Sequence, residues 1–450
     1  MSKQKIQLSD HFTYPRLLRF VLPAVGTMLF TSIYGIVDGL CVSNFVGKTA
    51  FAAVNLIMPL PQLLATIGFM LGTGGSALVS YTLGTGDKRK ANEIFSLLIY
   101  VLICMGLVFT VAGEALLMPV SRLLGADETM LPYCVRYGRI VLLGLVPFML
   151  QNTFQSFLVT AERPHFGLYI TIIAGVANMV LDALLVGVWK MGVEGAALAT
   201  IISQCLGGLI PLIYFLCPNK SPLRLLKAPM DWRAITKAST NGASEFMTNI
   251  SMSIVTMLYN WQLMRLMGSD GVAVFGIIMY VNFIFISIFL GYSMGSAPIV
   301  SYHYGARNHA ELNNLYSKSL RLIGVIAVVM TALSMLVIPY VARIFVGYDA
   351  ELLALTSHAF RVYALNFFLM GFNVYGSSFF TALGDGVTSA LISFLRTLLF
   401  QLLALIFLPM VLGIEGVWLA VTAAEAGALC VTVLMFITKD KVFHYRKVSC

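Results

Sequence analysis

Twelve apolar segments, each long enough to cross a lipid bilayer, dominate this chain of 450 residues. A helix of about 20 apolar residues spans the hydrocarbon core of a membrane. The segments lie at residues 17–41, 51–80, 93–118, 136–160, 166–187, 194–217, 239–263, 271–302, 316–341, 358–382, 387–411 and 416–437. Charged residues make up only 11% of the chain, whereas soluble proteins carry about 25%. The pattern predicts an all-α polytopic membrane protein with twelve transmembrane helices.

The sequence repeats itself at a constant offset of 221 residues. Within one gapless run of 23 positions the repeated residues are Gly74, Val79, Ser80, Tyr81, Gly84, Asn92 and Ser96, which recur as Gly295, Val300, Ser301, Tyr302, Gly305, Asn313 and Ser317. Six spans per repeat is an even number, so the two halves should share one orientation and be related by a pseudo-two-fold axis along the membrane normal. We therefore predict a six-helix lobe over 1–217, a cytoplasmic linker over 218–237, and a second six-helix lobe with a cytoplasmic tail over 238–450.

The Lys and Arg residues are divided unevenly between the two ends of the spans. The side that holds both termini has 20 of them and the opposite side has 7. Because cytoplasmic loops carry the excess of positive charge, we expect both termini to be cytoplasmic. The run from Lys88 to Lys90 then marks topology rather than a ligand site, and the net charge of +9 gives no reason to expect nucleic acid. All four tryptophans fall at predicted span ends, where an interfacial belt is expected.

One span, from Phe166 to Val188, carries Asn178 and Asp182 four residues apart, on one face of a helix. On insertion scales a charged residue at the bilayer centre costs about 2.5–3.5 kcal/mol, so it usually faces a partner or a water-filled cavity. Two interpretations are open: an Asn–Asp hydrogen bond that joins helices, or an ion or proton site. Asp38, in the first span, is a second acid that could reach the same cavity. We favour the ion or proton site.

These residues carry a resemblance to a known family. The resembling features are the two six-span halves, the span with Pro23 and Asp38, the Gly-Val-Glu-Gly turn at 192–195, its counterpart at 413–416, and the segment from Asn178 to Asp182. Together they resemble the multidrug and toxic compound extrusion (MATE) family, in its DinF-like branch, over about residues 15–437. The resemblance implies that Asp38, Asn178, Asp182 and Thr200 form a proton- or sodium-responsive cluster in the first lobe.

A different branch of the family uses acids in the seventh and tenth spans. Glu245 lies in the seventh span here, but residues 358–382 contain no acid, so this second pattern is only half matched. At the 221-residue offset Asp182 corresponds to Leu403 and Asp38 to Tyr259, so the acidic chemistry belongs to the first lobe alone. Glu245 is a weaker candidate for the substrate cavity. So is Pro23, since a bend in its span could be coupled to the charge of Asp38.

Two further ionisable residues lie inside spans of the second lobe, Arg396 and Glu425. We expect Arg396 to snorkel or to pack between helices, with pairing to an acid as the alternative. For Glu425 a structural role is favoured over a functional one.

The resemblance implies a secondary antiporter of the bacterial plasma membrane, which exports amphipathic, mostly cationic organic compounds in exchange for protons or sodium by alternating access. The alternative is a lipid-linked oligosaccharide flippase of the wider superfamily. Its phosphate-bearing substrate would need several basic residues in the cavity, and of the Lys and Arg residues only Arg361 and Arg396 are assigned to neither end of the spans. We expect no cofactor beyond the coupling ion. The expected partners are the bilayer and small organic cations, with the monomer as the functional unit.

An enzyme is not expected, because neither the histidines nor the cysteines are arranged for chemistry. The six histidines are scattered, mostly near span ends, and the seven cysteines lack metal-ligand spacing.

The charge distribution generates a prediction about orientation. In whole cells, a cysteine introduced at Lys190 should react with a membrane-impermeant thiol reagent, whereas cysteines at Lys88 or Lys227 should not, because the latter two lie on the side with the positive excess. Reversed labelling would overturn the predicted orientation and, with it, the direction of export.

Overall fold

The computed structural model describes residues 6–45, 48–347 and 349–446, and its regular elements there are all helical. The helices are α1 (Tyr14–Phe45), α2 (Lys48–Ile57), α3 (Pro59–Gly84), α4 (Lys88–Leu123), α5 (Leu131–Leu143), α6 (Leu145–Thr160), α7 (Pro164–Leu181), α8 (Gly192–Leu216), α9 (Trp232–Asn241), α10 (Ala243–Met267), α11 (Ser269–Gly305), α12 (His309–Val346), α13 (Ala350–Ala364), α14 (Phe367–Ala382), α15 (Gly386–Phe394), α16 (Phe400–Leu412), α17 (Ile414–Thr438) and α18 (Asp440–Phe443). Two π-helical segments, Asp182–Val188 and Leu395–Leu399, join α7 and α15 to the chain that follows them.

Among the described residues, nine helical stretches are long and apolar enough to cross a membrane. Two bent pairs raise this number to eleven: α5 with α6, at 55°, and α13 with α14, at 45°. The bends occupy equivalent places in the two halves. The twelfth predicted span is α10, which has 25 residues but is more polar than the others. Large apolar side chains such as Leu107, Val108 and Val111 lie exposed on the outer face of α4, as expected of a surface that contacts lipid.

The boundaries of the second span differ from the prediction. The apolar run at 51–80 predicts one continuous helix, but the structure divides it into α2 and α3 at Met58. Pro59 and Pro61 explain the break, because proline has no backbone N–H and fits best in the first turn of a helix. The tryptophan belt is also incomplete. Trp189, Trp232 and Trp261 are exposed, whereas Trp418 is 1% exposed and packs inside the second half.

Reciprocal contacts join the two halves. Helix α1 packs along α11, α10 packs against α3, and α3 and α11 pack against each other. Gly84 lies against the backbone of Tyr302, and Gly305 lies against the backbone of Tyr81. These two pairs exchange places under the 221-residue offset, as a two-fold relation requires. We call this contact the tail-side seam, because it lies at the end of the bundle where the segment that follows each half begins. It is formed by Tyr81, Gly84, Tyr302, Tyr304 and Gly305.

The repeated asparagines, Asn92 and Asn313, form hydrogen bonds to the segment that follows each half. The side-chain oxygen of Asn92 accepts a hydrogen bond from the N–H of Arg224, and its amide nitrogen donates to the carbonyl of Pro222 at 3.2 Å. Asn313 donates to the carbonyl of Tyr445 at 3.1 Å. Tyr445 is the 221-residue counterpart of Arg224, so the repeated asparagine has one structural role in both halves.

The predicted linker is partly helical. Its first part runs as loop and turn, and α9 begins at Trp232, where the side chain of Asp231 accepts hydrogen bonds from the N–H groups of Arg233 and Ala234 at 3.0 and 3.2 Å. This arrangement is an ordinary helix N-cap. Only Gly242 separates α9 from α10.

The glycines of the seam generate a prediction about stability. A methyl group at Gly84 would overlap the carbonyl oxygen of Tyr302, which is backbone and cannot rotate away. Gly84→Ala should therefore destabilise the closed seam by about 1–3 kcal/mol, the usual cost of overpacking. We expect a lower melting temperature in detergent, or greater thiol accessibility of a cysteine placed at the seam.

The matched control is Gly276→Ala on α11, where nothing lies within 4 Å of the added methyl group. Equal behaviour of the two variants would contradict the close packing of the seam.

Candidate functional site

Two acids from different helices of the first half meet inside the bundle. Asp38 lies on α1, and Asp182 is the first residue of the π-helical segment that follows α7. The two carboxyl groups lie close enough together for their charges to interact. Asp182 is only 1% exposed, and Asn178, one turn earlier on α7, is 2% exposed. The structure thus brings together Asp38 and Asp182, which the sequence could only suggest as neighbours.

The π-helical segment places Asp182 at a change of helix geometry. The N–H of Asp182 still donates to the carbonyl of Asn178 in the α-helical manner, whereas the N–H of Trp189 donates five residues back, to Leu184, at 2.8 Å. Turns of this type are rare and occur frequently at functional sites. No residue type at 182–188 indicates this geometry, because these positions have the pattern of the end of an ordinary apolar helix.

The oxygens of this cluster lack hydrogen-bond donors among the described residues. Both carboxyl oxygens of Asp182, Oδ1 of Asp38 and Oδ1 of Asn178 are buried without one. Although the two carboxyl groups lie close together, ionised carboxylates only accept, so neither can satisfy the other unless one holds a proton. Burying charge without compensation is costly. A proton or a cation would compensate these oxygens.

A second ring of polar side chains surrounds the acids. Tyr34 lies close to both Gln151 and Asp38. Tyr137 is 2% exposed, and its hydroxyl interacts with Thr200 and lies 3.3 Å from Sδ of Met58. Thr200 also donates to the carbonyl of Ala196 at 3.0 Å.

Thr200 was predicted from the sequence, whereas Tyr34, Tyr137 and Gln151 were not. The available signal was their polarity at positions that fall within or beside predicted spans. Thr200 thus joins the cluster through Tyr137, whose hydroxyl is close enough to both acids to interact with their charges.

Neither weaker candidate joins this cluster. Fifteen residues separate Pro23 from Asp38, which is about 22 Å along a helix. Pro23 is buried within α1, where its carbonyl accepts a hydrogen bond from Thr27 at 2.9 Å. Glu245, near the start of α10, lies close enough to Arg396 in the second half for their charges to interact. Their assignment to a substrate cavity stays a prediction.

The second half contains a buried acid whose oxygens are both satisfied. Arg396 donates from Nε to Oε1 of Glu425 at 2.8 Å, and Asn373 donates to Oε2 at 2.7 Å. Thr432 in turn donates to Oδ1 of Asn373 at 2.8 Å. Glu425 is 0% exposed and Arg396 is 7% exposed. Arg396 therefore does not snorkel, and the alternative of pairing with an acid is the one observed.

The buried acids of the two halves accordingly have opposite environments. Glu425 of the second half is neutralised by an arginine and fully hydrogen-bonded, whereas Asp38 and Asp182 of the first half are not. No group of three or more His, Cys, Asp or Glu side chains that could hold a metal ion occurs in the described parts of the chain.

Comparison with known proteins identifies the architecture. The family model MatE matches residues 23–184 and 246–406, one segment in each half. The chain belongs to the MatE family. Members of this family are membrane transporters rather than enzymes, and the predicted resemblance is confirmed.

The relatives of this MATE-family protein match it almost from end to end. A "Multidrug export protein MepA" of Staphylococcus haemolyticus is 23% identical over 437 residues, which cover 97% of this chain and 95% of the relative. The crystal structure of MATE in complex with MaL6 superposes with a TM-score of 0.92 at 23% identity, covering 98% of this chain and 100% of the other.

An outward-facing conformation of a multidrug resistance MATE family transporter gives a TM-score of 0.92 at 22% identity, with 99% of each chain covered. These structural neighbours have twelve helices in two lobes, so the predicted fold is confirmed.

The ion pair of the second lobe generates a prediction. Arg396→Met leaves the charge of Glu425 buried without its partner, and breaking such a pair costs about 3–5 kcal/mol. We expect a clear fall in the melting temperature of the purified protein.

The double variant Arg396→Met/Glu425→Gln should recover most of that stability, since no uncompensated charge remains. A double variant that is less stable than either single variant would show that the pair does not act as one neutral unit.

Proposed function

We propose that this transporter exports amphipathic, mostly cationic organic compounds from the cytoplasm, in exchange for protons or sodium, by alternating access. The observation that carries the proposal is the set of buried oxygens of Asp38, Asp182 and Asn178, which lack donors among the described residues. Multidrug export is the activity in the names of the staphylococcal relatives, and this proposal extends it to the present chain.

Exchange follows from competition for the same negative charge. A proton, a sodium ion or the positive charge of an organic compound can each compensate the Asp38–Asp182 pair, but they need not favour the same arrangement of the lobes. A ligand shifts a conformational equilibrium only by its difference in affinity between the two states. If the ion and the organic cation stabilise different states, loading one favours release of the other.

Both candidate ions suit the chemistry of the cluster. A single proton held by either carboxyl supplies the donor that the other carboxyl lacks. Sodium, a hard cation, would draw on oxygen ligands, and Asn178 and Thr200 offer two besides the acids. A gradient experiment distinguishes them: transport of a fluorescent cation into proteoliposomes is driven by an imposed pH gradient, by a sodium gradient, or by neither.

Helix α1 can connect the site to the lobes. It carries Asp38, packs along α11 of the second lobe, and its Ser32 donates to the carbonyl of Phe283 at 3.2 Å. Pro23 interrupts the hydrogen bonding of the same helix, which permits a bend. We infer that loading the ion bends α1 at Pro23, reduces the cavity and expels the organic compound outward.

The pairing of the basic residues disfavours the flippase alternative. Recognition of a phosphate-bearing lipid calls for unpaired Arg or Lys side chains in the cavity. Of the two arginines assigned to neither end of the predicted spans, Arg396 is already paired with Glu425, and only Arg361 remains. A cavity whose buried acids lack partners suits a cationic compound better.

The proposal predicts the behaviour of Asp182→Asn. The substitution keeps the shape of the side chain but removes its charge, so gradient-driven transport should be lost. Expression and folding should be retained, because a neutral side chain is less costly to bury. Transport is measured in proteoliposomes with a fluorescent cation. Asp38→Asn should in addition remove any dependence on membrane voltage if both acids exchange protons.

The control is Leu403→Asn, at the equivalent position of the second lobe, which should leave ion coupling intact. Normal transport by Asp182→Asn would move the coupling site elsewhere, first to Glu245.

A further inference from the structure

Part of the linker between the two halves is bound along helix α4 of the first lobe. The N–H of Leu226 donates to the hydroxyl of Ser96 at 2.8 Å, and the hydroxyl of Tyr100 donates to the carbonyl of Leu226 at 3.1 Å. Ser96 and Tyr100 both belong to α4. The N–H of Leu225 donates to the carbonyl of Phe215, at the end of α8, at 3.0 Å. These hydrogen bonds fix the backbone of the linker on the first lobe.

The side of α4 that meets Leu226 is also the side with exposed apolar residues. Five exposed residues recur there at the spacing of one helix face: Tyr100, Cys104, Leu107, Val108 and Val111. Seven residues separate Tyr100 from Leu107, which is about 10 Å along a helix. The linker therefore borders the surface of α4 that contacts lipid, at its tail-side edge.

Three large apolar side chains of the linker are exposed. Leu226 is 43% exposed, Met230 is 56% exposed and Trp232 is 68% exposed. At most about 22 Å of chain separates the first of them from the last. Tryptophan is enriched where a membrane meets water, because its ring is apolar and its N–H is polar. Because these side chains continue the exposed face of α4, the same lipid can cover both.

Two exposed basic residues, Lys227 and Arg233, lie among these apolar side chains. Neither has an acid partner in an ion pair among the described residues. The one acid between residues 218 and 237 is Asp231, which caps α9 by accepting from the N–H groups of Arg233 and Ala234. A basic segment with exposed apolar residues beside a membrane attracts anionic lipid.

The equivalent segment ahead of α1 shows that this surface is not a general feature of the fold. At the 221-residue offset Lys227 corresponds to Ile6 and Arg233 corresponds to Phe12, so neither basic residue is repeated. The apolar residues Leu8 and Phe12 of that segment are buried, at 1% and 0% exposed. The segment ahead of α1 thus packs its apolar residues inside the protein, whereas the linker exposes its own.

We propose that the linker patch, formed by Leu226, Lys227, Met230, Trp232 and Arg233, binds anionic phospholipid of the surrounding bilayer. The three apolar side chains enter the boundary between headgroups and acyl chains, and the two basic side chains pair with the lipid phosphates. The hydrogen bonds to α4 hold the patch in place, so the anionic lipid collects beside the first lobe. This inference rests on the membrane-spanning fold and not on the proposed ion exchange.

Trp232 reports on the patch in the purified full-length protein, reconstituted in vesicles of equal parts phosphatidylglycerol and phosphatidylcholine. Trp189→Phe/Trp261→Phe removes the other exposed tryptophans and leaves Trp418, which is 1% exposed, as a constant background. In one set of vesicles the phosphatidylglycerol is brominated, and in the other the phosphatidylcholine, since bromine quenches a tryptophan that it contacts. Both should quench Trp232. Phosphatidylglycerol should be the enriched neighbour, by up to about fivefold for each basic residue.

The basic residues are tested in the same background. Lys227→Gln/Arg233→Gln should lose the preference, so that the two brominated lipids quench equally, while contact with lipid remains. The matched control is Lys88→Gln/Lys90→Gln, which removes the same charge from exposed residues at the start of α4. These lysines lie about 15–18 Å before Tyr100 along the helix, so the control should keep the preference.

The inference would be overturned by any of several results. Quenching by acrylamide from the water, and by neither brominated lipid, would place Trp232 in water. Quenching by none of these agents would mean that protein, such as a second copy of this chain, covers the patch. Equal quenching by the two lipids before the basic residues are changed, or equal loss of preference in the two charge variants, would show that the patch does not recognise anionic lipid.

Discussion

A carboxylate removed from water must find a positive partner or give up its charge, and the two lobes meet this constraint differently. In the second lobe Arg396 and Asn373 each donate to one oxygen of Glu425. In the first lobe Asp182 has no donor for either oxygen among the described residues. A fully satisfied polar network is rigid, whereas an unsatisfied one depends on what binds to it. The first lobe therefore holds the buried carboxylates that still lack a positive partner among the described residues.

The duplication of the sequence supplies the scaffold on which this difference developed. Gly84 and Gly305 make the same backbone contact from opposite sides of the seam, and Asn92 and Asn313 hold equivalent segments. Such matches persist because each preserves packing or backbone hydrogen bonding in both halves. By contrast, the position of the second lobe that corresponds to Asp182 is Leu403, which is not an acid. The shared residues therefore maintain the fold, whereas the environments of the buried acids distinguish the two lobes.

The fold was largely predictable from the sequence, because length and hydropathy alone define helices in a membrane, where backbone groups must be satisfied internally. The pairing of Arg396 with Glu425 was not, since it depends on how two helices rotate against each other. Neither was the position of Tyr137 beside the acids, for the same reason. The π-helical turn at Asp182 arises from local hydrogen-bond spacing that the residue types do not indicate. Trp418 lies at a span end but is buried, because position along a helix does not specify which face meets lipid.

Helix α1 unites the elements that a conformational change would have to connect. The segment just before it is anchored to both lobes, since the N–H of Leu8 donates to Glu162 and the N–H of Phe12 donates to Glu311, at 3.0 and 2.9 Å. Asp38 lies toward its other end, and Pro23 lies between. A helix that is anchored at one end and interrupted by a proline bends most readily at the interruption. The position of Pro23, remote from the acids, is therefore consistent with a hinge rather than with a binding residue.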